Sequence, residues 1–259
     1  MISAMLQGGL GNQMFQIAAA ASLAKDLNTV SVFSDNNLSN LQPTRASTYK
    51  NNIFSRINLI ENNEAFKNLS FYNEMNFSYS EIPKKDNLIL NGYFQSEKYF
   101  IHNSEYIRNI YSETEEITKY IDEKYWHINF SNAVSLHVRR GDYIKFPNIH
   151  PVCQIEYYNN SINELDHCEK ILIFSDDIQW CKNNIKYKNC YFIEQEPDYI
   201  DLYLISRCRD NIIANSSFSW WGAWLNKNSN KKVILPLKWF GPSGPKDTHD
   251  ISPVGWIRK

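Results

Sequence analysis

The amino-acid sequence predicts an α/β protein with parallel sheets covered by helices. The first observation is the opening over residues 2–33, where an apolar run, a glycine-rich turn, an alanine-rich helix and a second apolar run follow one another. The second is the regular alternation of predicted strands and helices over residues 133–235. The third is that polar clusters follow the predicted strands, and ligands bind at the carboxyl ends of strands in such sheets.

The composition allows one large domain or two small ones. The chain has 259 residues, of which 43% are hydrophobic, so it can bury a sizeable core. A boundary near residue 130 divides it into halves of similar size, 1–130 and 131–259. The 27 Lys and Arg residues nearly balance the 28 Asp and Glu residues. This balance argues against a general nucleic-acid binder but allows a local basic pocket for one small anion.

The first half predicts one α/β unit followed by weaker signals. Its predicted strands are residues 2–6, 30–33 and 88–90, and its predicted helices are residues 14–24 and, as one or two helices, 105–124. Residues 7–13 form the glycine-rich turn between the first strand and the first helix. The segment 35–85 is polar, rich in asparagine and weakly periodic, so helices are predicted there without definite bounds.

The second half has clearer periodicity. Its predicted strands are residues 133–138, 170–174, 191–193, 211–214 and 232–235, and its predicted helices are residues 154–165, 198–208 and 218–226. Strands that alternate with helices in this way favour a parallel sheet with both faces covered.

Targeting and redox signals favour a cytoplasmic protein in a reducing compartment. No run of about 18 apolar residues is present, so no membrane span is predicted. The N-terminus has no basic n-region and no long apolar h-region, so no signal peptide is expected. The five cysteines are odd in number and contain no C-x-x-C pair, which favours neutral free thiols over disulfides or a zinc site. They are Cys153, Cys168, Cys181, Cys190 and Cys208.

Arg139 and Arg140 follow a predicted buried strand. Arginine is always charged, and its planar group of N–H donors suits phosphate. We therefore favour an anion clamp over the alternative of a surface ion pair. Asp142 then either braces one of the two arginines or turns the loop.

The segment 215–222 places Asn215, Ser216 and Ser217 at the start of a predicted helix. The free N–H groups and the dipole of a helix N-terminus attract phosphate, whereas an ordinary N-cap explains the same residues equally well. Three tryptophans on this helix either stack on a sugar or base or, as is more usual, pack in the core. They are Trp220, Trp221 and Trp224.

Asp176 and Asp177 end another predicted strand. A carboxylate can accept two hydrogen bonds from the N1–H and N2–H edge of guanine, and an Asp in this position can equally cap the next helix. The residue types alone leave both interpretations open.

Residues 8–13 resemble a dinucleotide-binding fingerprint, but Met14 and Phe15 stand where its third glycine belongs. No G-K-[S/T] follows, so the turn is not a P-loop. Asn12 and Gln13 offer neutral hydrogen bonds that suit sugar hydroxyls. The sequence also lacks an H-E-x-x-H motif and a D-x-D motif, and a D-x-D motif could hold a divalent metal ion against a diphosphate. Without such a metal ion, the charge of a diphosphate would be neutralised by arginine or lysine side chains and helix N-termini.

Five segments in order resemble glycosyltransferase family 11, the α-1,2-fucosyltransferases. They cover nearly the whole chain, and the segments His137–Tyr143 and Phe218–Gly222 are the most specific. The five are G-G-L-G-N-Q-M-F-Q at 8–16, G-Y-F-Q-S-E-K-Y-F at 92–100, H-V-R-R-G-D-Y at 137–143, F-S-D-D at 174–177 and N-S-S-F-S-W-W-G-A-W-L at 215–225.

The resemblance implies a metal-independent, inverting transfer of L-fucose from GDP-β-L-fucose to the 2-hydroxyl of a galactose-type acceptor. It implies a GT-B-like fold, with two Rossmann-like α/β domains facing a cleft, an acceptor-side domain at 1–130 and a GDP-fucose-binding domain at 131–259. The implied partners are GDP-fucose and a galactose-containing oligosaccharide or lipid-linked glycan in O-antigen, lipopolysaccharide or capsule synthesis, with or without peripheral membrane association.

The resemblance also implies site residues. Arg139 binds the β-phosphate, Asp176 reads guanine, and Asp142 is the nearest motif carboxylate for a general base. The implied catalytic residues are Arg139, Asp142 and Asn12, and the implied donor-binding residues are His137, Arg140, Asp176, Asp177, Ser217, Phe218, Ser219, Gly11 and Gln13. The alternatives are a fucosyltransferase of another linkage, such as α-1,6, a non-catalytic lectin, and a sugar-nucleotide enzyme such as an epimerase.

Overall fold

The computed structural model describes residues 1–34, 44–61, 63–165 and 169–259. Cys168 and the part of the predicted helical segment at residues 35–43 and 62 lie outside the described residues. The chain forms two compact units, which we call unit 1 (Met1–Glu116 with Asp247–Pro253) and unit 2 (Ile117–Lys246 with Val254–Lys259). The units thus divide the chain before the domain boundary predicted near residue 130, and the assignment of substrates to domains stays a prediction.

Unit 1 contains short parallel strands and one long buried helix. Its strands are β1 (Ile2–Ala4), β2 (Phe33–Ser34), β3 (Leu59–Ile60), β4 (Ser70–Asn73) and β5 (Leu88–Asn91), and its helices are α1 (Leu10–Asp26) and α2 (Ser104–Ile110). The strands β1, β5 and β4 form one parallel sheet in that order, and β2 pairs with β3 in parallel. The strand predicted at 30–33 begins later than expected, although a bridge between Ile2 and Ser31 places its start beside β1.

The helix α1 begins four residues before the predicted start. Gly9 is its N-cap, in an extended conformation, and Gly8 has a φ of +78°, which favours glycine. The glycine-rich turn is therefore confined to residues 7–9. Gly11, Asn12 and Gln13 lie in the first turn of α1, which corrects their expected place in the loop. The alanines that follow are buried, which explains why this helix is alanine-rich.

Unit 2 contains one parallel six-stranded sheet. Its strands are β6 (Ala133–Val138), β7 (Lys170–Ser175), β8 (Cys190–Phe192), β9 (Asp210–Ile212), β10 (Val233–Leu235) and β11 (Ile257–Arg258), in the order β11-β10-β9-β6-β7-β8. Its helices are α3 (Glu115–Lys124, which begins in unit 1), α4 (Ile155–Asn163), α5 (Ile178–Asn184), α6 (Asp198–Arg207) and α7 (Ser217–Leu225). The predicted α/β class with parallel strands is confirmed in both units.

The sheet of unit 2 has a buried middle strand, β6, whose residues are apolar or small except for His137. Every residue of β6 is buried, and Val134, Leu136 and Val138 pack against Tyr158 of α4. Burial on both faces is what makes such a strand recognisable as a continuous apolar run. The sequence located β6 at its observed bounds for this reason.

The helices α6 and α7 pack closely through a glycine. A Cβ atom on Gly222 would lie 2.4 Å from Cγ2 of Ile205, so only glycine fits at this crossing. Trp220, Trp221 and Trp224 are buried, and the rings of Trp220 and Trp224 stack at 6.3 Å. The core interpretation of these tryptophans is therefore confirmed.

No helix in the described ranges combines the length and apolar character that a membrane crossing requires. Cys153, Cys181, Cys190 and Cys208 are free thiols. Burial raises the pKa of Cys153 and of Cys181 to about 11, so both are neutral at pH 7.

Candidate active site

Three polar segments of unit 2 lie at one edge of its sheet. The parallel register pairs Val138 with Ser175, the last residues of β6 and β7, and β9 ends beside Leu136. Because parallel strands end at the same edge, the residues that follow β6, β7 and β9 are brought together there. This agrees with the sequence analysis.

Arg139 is held between two carboxylates. Its Nη2 lies 2.5 Å from Oδ1 of Asp142, and its Nη1 lies 3.0 Å from Oδ2 of Asp176. Its guanidinium also lies 5.3 Å from the ring centroid of Tyr143, and its side chain is 34% exposed. A guanidinium has five N–H groups, so these two contacts orient Arg139 and leave donors for an anion. Asp142 therefore braces Arg139, one of the two roles predicted for it.

Arg140 has a different environment. Its Nε donates to Oδ2 of Asp177 at 3.1 Å, and its guanidinium lies 4.1 Å from the ring centroid of Trp180. Oδ1 of Asp177 accepts a hydrogen bond from the N–H of Trp180 at 3.1 Å and so caps α5. The helix-cap interpretation of Asp177 is confirmed.

Asp176 connects the loops after β6 and β7. Its Oδ1 accepts a hydrogen bond from the backbone N–H of Arg140 at 2.9 Å, while its Oδ2 pairs with Arg139. A Cβ atom on Gly141 would lie 2.5 Å from that Oδ2, which explains the glycine in the motif. The predicted contact of Asp176 with guanine would have to use the remaining acceptor capacity of the carboxylate.

The charges of this cluster nearly cancel. Arg139 and Arg140 contribute two positive charges, and three aspartates, Asp142, Asp176 and Asp177, contribute three negative ones. Both arginines thus form ion pairs, as in the alternative that the sequence analysis weighed against an anion clamp. An incoming anion would meet oriented N–H donors rather than a bare positive patch.

His137 is buried at the end of β6 and is uncharged. Its side chain lies 5.4 Å from Phe218 between ring centroids, and the residue is 5% exposed. Burial, followed by the positive charge of Arg139, lowers the pKa of His137 to about 3. Within the described part of the chain, its Nδ1 is buried and has no hydrogen-bond partner. Such unpaired groups are uncommon in folded proteins, which makes this nitrogen a candidate ligand contact.

The start of α7 differs from the predicted cap. Ser216 is the N-cap residue, but its side chain makes no capping hydrogen bond. Asn215 instead donates from Nδ2 to the carbonyl oxygens of Pro151 and Trp239, each at 3.0 Å. Asn215 therefore links the loop that contains Pro151 to the loop that contains Trp239 and does not cap α7.

The first turn of α7 presents backbone donors. Its first N–H groups have no partner inside the helix, as at any helix start. Ser219 is buried, and its hydroxyl donates to the carbonyl oxygen of Ser216 at 3.4 Å. Ser217 and Phe218 are half-buried. The Ser219 hydroxyl is therefore already engaged within the first turn of α7, and the diphosphate contacts of this helix stay predictions.

Tyr143 was not among the predicted site residues. Its hydroxyl donates to the carbonyl oxygen of Asn215 at 3.0 Å, and its ring stacks on His150 at 4.7 Å. Tyr143 thereby ties the loop after β6 to the loop after β9. Its place in the H-V-R-R-G-D-Y segment was the only sequence signal for this role.

Gly11, Asn12 and Gln13 belong to unit 1. Oδ1 of Asn12 accepts a hydrogen bond from Nε2 of Gln95 at 2.8 Å. Gln13 is fully buried, and its Nε2 donates to the carbonyl oxygens of Gly8 at 2.9 Å and Thr44 at 2.8 Å. Gln13 thus supports the glycine turn, and its predicted contact with substrate stays a prediction.

The structure brings most predicted residues together in unit 2 and places three in unit 1. The unit 2 group is His137, Arg139, Arg140, Asp142, Asp176, Asp177, Ser217, Phe218 and Ser219, and the unit 1 group is Gly11, Asn12 and Gln13. No group of three or more His, Cys, Asp or Glu side chains in the described residues is arranged to hold a metal ion.

Comparisons with known proteins agree with the resemblance. The model of glycosyl transferase family 11 matches residues 1–257. An α-1,2-colitosyltransferase of Escherichia coli is 33% identical, covering 99% of this chain and 98% of that protein. The O-antigen biosynthesis glycosyltransferase WbnK of Escherichia coli is 32% identical, covering 97% of this chain and 98% of that protein.

A solved structure shows the same fold. The NodZ α-1,6-fucosyltransferase of Bradyrhizobium, in a crystal soaked with GDP-fucose, superposes with a TM-score of 0.55 at 17% identity, covering 86% of this chain and 91% of that chain. This likeness confirms the predicted GT-B-like fold class. The family match over the whole chain also removes the lectin and epimerase alternatives. The chain belongs to glycosyl transferase family 11 and is a glycosyltransferase.

Proposed function

We propose that this glycosyltransferase is an inverting galactoside α-1,2-fucosyltransferase that uses GDP-β-L-fucose and acts in surface-glycan synthesis. The observation that carries the proposal is Arg139, held by Asp142 and Asp176 at the end of β6. Its spare N–H donors suit the diphosphate of a nucleotide sugar. The relatives act in O-antigen synthesis or transfer a related sugar with α-1,2 linkage.

Arg139 serves the departing nucleotide. As the bond from fucose C1 to the diphosphate breaks, C1 gains oxocarbenium character and negative charge grows on the diphosphate. Donors oriented before the reaction stabilise that charge without reorganisation, at about 3–4 kcal/mol per key donor. The first N–H groups of α7 add to this stabilisation because a helix N-terminus carries partial positive charge.

Asp142 orients Arg139 rather than taking the acceptor proton. Its Oδ1 is 2.5 Å from the guanidinium, so the carboxylate already serves as an ion-pair partner. A general base must reach the acceptor hydroxyl directly or through one water. A phosphate oxygen of the donor or a water molecule accepts the proton in this proposal.

His137 acts as a neutral hydrogen-bonding group. A pKa of about 3 keeps the imidazole uncharged throughout the physiological range. Its contribution to nucleotide binding is therefore one hydrogen bond from or to Nδ1, with no charge. Neutral His137 beside Arg139 also avoids repulsion between two cations.

The proposed reaction needs no metal ion. Arginine and helix N–H groups supply the positive charge that a divalent cation provides in other nucleotide-sugar enzymes. The acceptor is a galactose-containing glycan, free or lipid-linked, and the reaction takes place in the cytoplasm. Activity that co-sediments with membranes after cell fractionation would add peripheral membrane association to this proposal.

A second sugar donor, GDP-colitose, should be compared directly with GDP-fucose. Colitose is the 3-deoxy counterpart of L-fucose, and the relative at 33% identity is a colitosyltransferase. The two donors differ by one hydroxyl, and a site that hydrogen-bonds this hydroxyl discriminates strongly against the sugar that lacks it. GDP-colitose is therefore the alternative donor.

The test is a transfer assay with GDP-fucose and galactose-terminated disaccharides, read by mass spectrometry and followed by NMR of the linkage. The proposal expects one added fucose in an α-1,2 bond. An α-1,6 product would show that the proposed α-1,2 linkage is wrong. Faster turnover with GDP-colitose in a parallel reaction would show that GDP-colitose, and not GDP-fucose, is the donor. No product with either donor would contradict the proposal.

A further inference from the structure

The segment Gly92–Phe100 has no role in the function proposed above, yet its backbone is unusual. Phe94 is fully buried and has a φ of +52°, in the left-handed region that bulky residues rarely adopt. Backbone of this kind persists only where its surroundings hold it, and it is concentrated at functional sites. The surroundings of Phe94 therefore need an explanation.

One carboxylate holds this turn. Oε2 of Glu74 accepts a hydrogen bond from the N–H of Tyr93 at 2.7 Å, and Oε1 accepts one from the N–H of Phe94 at 2.9 Å. Glu74 directly follows β4, and its own N–H donates to the carbonyl oxygen of Asn91 at 2.8 Å. A Cβ atom on Gly92 would lie 2.3 Å from Cβ of Glu74, so glycine is required for this approach.

The turn places the side chain of Gln95 next to Asn12. Gln95 is 7% exposed, and its Nε2 donates to Oδ1 of Asn12 at 2.8 Å. Nδ2 of Asn12 lies close to the backbone of Gly8, since a Cβ atom on Gly8 would lie 2.3 Å from it. Gln95 thus contributes one hydrogen bond that orients the Asn12 amide, and Gln95 itself belongs to the turn that Glu74 holds.

The same turn presents an aromatic side chain to solvent. Tyr93 is the exposed residue of this turn, with 42% of its surface accessible. Tyr79, outside the turn, is 36% exposed, and its ring centroid lies 4.8 Å from that of Tyr99. Oδ2 of Asp250 accepts a hydrogen bond from the N–H of Tyr79 at 2.8 Å. Tyrosine combines an apolar face with a polar hydroxyl, which suits the faces and hydroxyls of a sugar ring.

We propose that Glu74 is a positioning residue for the sugar acceptor: its carboxylate holds the Tyr93–Gln95 turn so that Gln95 orients the Asn12 amide toward acceptor hydroxyls. This inference rests on the proposed transfer of a sugar to a glycan acceptor. Glutamate is required because two N–H donors need two acceptor oxygens. Glutamine would offer one oxygen and would turn an NH2 group toward the second N–H.

The test measures initial rates for the wild type and Glu74→Gln, with GDP-fucose and the acceptor varied separately. We expect the acceptor KM to rise roughly tenfold, as for the loss of one hydrogen bond to a charged group. The KM for GDP-fucose should stay within about twofold of the wild type, because Glu74 acts on the acceptor only. Glu105→Gln, at an exposed carboxylate of unit 1, is the matched control and should leave both values unchanged.

A double-mutant cycle tests whether Glu74 acts through Gln95. Gln95→Ala should reproduce the rise in acceptor KM, and Glu74→Gln combined with Gln95→Ala should be no worse than the larger single effect. Melting temperatures identify variants that fail to fold, and Gln95→Ala then tests the same step without altering Glu74.

Four outcomes decide between the proposals. Additive effects in the cycle, or a lower melting temperature with an unchanged acceptor KM, would overturn the positioning role. Equal increases in the KM of donor and acceptor would also overturn it. A wild-type protein that transfers no sugar would instead overturn the proposed function, so the two failures are distinguishable.

Discussion

The strand ends of the two units carry different chemistry on the same kind of parallel sheet. In unit 2, Arg139 and Arg140 form ion pairs with three aspartates. In unit 1, Asn12 and Gln95 join amide to amide, and a single carboxylate, Glu74, holds the backbone. Charged donors suit a nucleoside diphosphate, and neutral amides suit sugar hydroxyls. The fold provides a sheet edge where polar residues follow the strands, and the side chains at that edge determine which ligand can bind.

Glycine performs the same task in both regions. Gly141 allows Oδ2 of Asp176 to approach the loop after β6, and Gly8 allows Nδ2 of Asn12 to approach the turn before α1. A Cβ atom would lie 2.5 Å from the first atom and 2.3 Å from the second. Each glycine therefore serves the placement of one polar side chain.

The largest expected effect is that of Arg139→Ala. Removing one oriented donor to a developing negative charge typically lowers kcat by about 10²–10³-fold. Steady-state rates with GDP-fucose measure the loss, and circular dichroism checks the fold. Arg207→Ala, which removes an ion pair with Asp122 elsewhere in unit 2, is the control and should keep most activity. Turnover like that of the wild type in Arg139→Ala would remove the charged site from the mechanism.

The buried imidazole of His137 in unit 2 leads us to expect a pH effect on stability. The folded pKa of about 3 lies below the usual value near 6.5. Between these values the unfolded chain binds more protons, so the free energy of unfolding falls as the pH falls. The contribution of His137 is about 2 kcal/mol at pH 5 relative to pH 7.5.

Urea denaturation of the wild type and His137→Gln at pH 5 and pH 7.5 measures that contribution. The wild type should lose about 2 kcal/mol more than the variant on acidification, because glutamine does not titrate. Equal losses in the two proteins would show that His137 titrates normally and is not buried as described.

Asp142→Asn should lower kcat about tenfold, because a neutral amide holds the Arg139 guanidinium less strongly than a carboxylate does. The shape of the pH–rate profile should not change, since Asp142 orients Arg139 in this account. Rates between pH 5 and pH 9 provide the measurement. If the variant loses a limb that the wild type shows, Asp142 is the general base instead.

The smallest expected effect is that of metal removal. Because the proposed charge neutralisation uses arginine and helix N–H groups, EDTA should leave GDP-fucose turnover within experimental error. Added magnesium is the control and should also have no effect. Inhibition by EDTA that magnesium reverses would show that the charged site of unit 2 is incomplete without a cation.

The sequence predicted the strands that are buried on both faces and lost accuracy where strands are short and polar. The bounds of β6 matched because all six of its residues are buried and all except His137 are apolar or small. The strand β4 was missed because most of its residues are exposed, so neither an apolar run nor alternation marks it. The segment Asp247–Pro253 belongs to unit 1 through contacts distant in sequence, for which local patterns give no signal.

The sequence predicted which residues form the candidate site, but it did not predict the contacts between them. The motifs located Arg139, Asp142 and Asp176, whereas the ion pair between Arg139 and Asp176 depends on the register of β6 against β7. The role of Glu74 was not predictable, because its partners are backbone N–H groups about 20 residues away and no motif contains it.

The most direct test of the charged site is a crystal structure of the protein with GDP bound. We predict the diphosphate within about 3 Å of the Arg139 guanidinium and of the first N–H groups of α7, as for charge-assisted hydrogen bonds. GDP bound beside Asn12 and Gln95 would contradict the account. So would GDP bound in unit 2 with Arg139 contacting only Asp142 and Asp176.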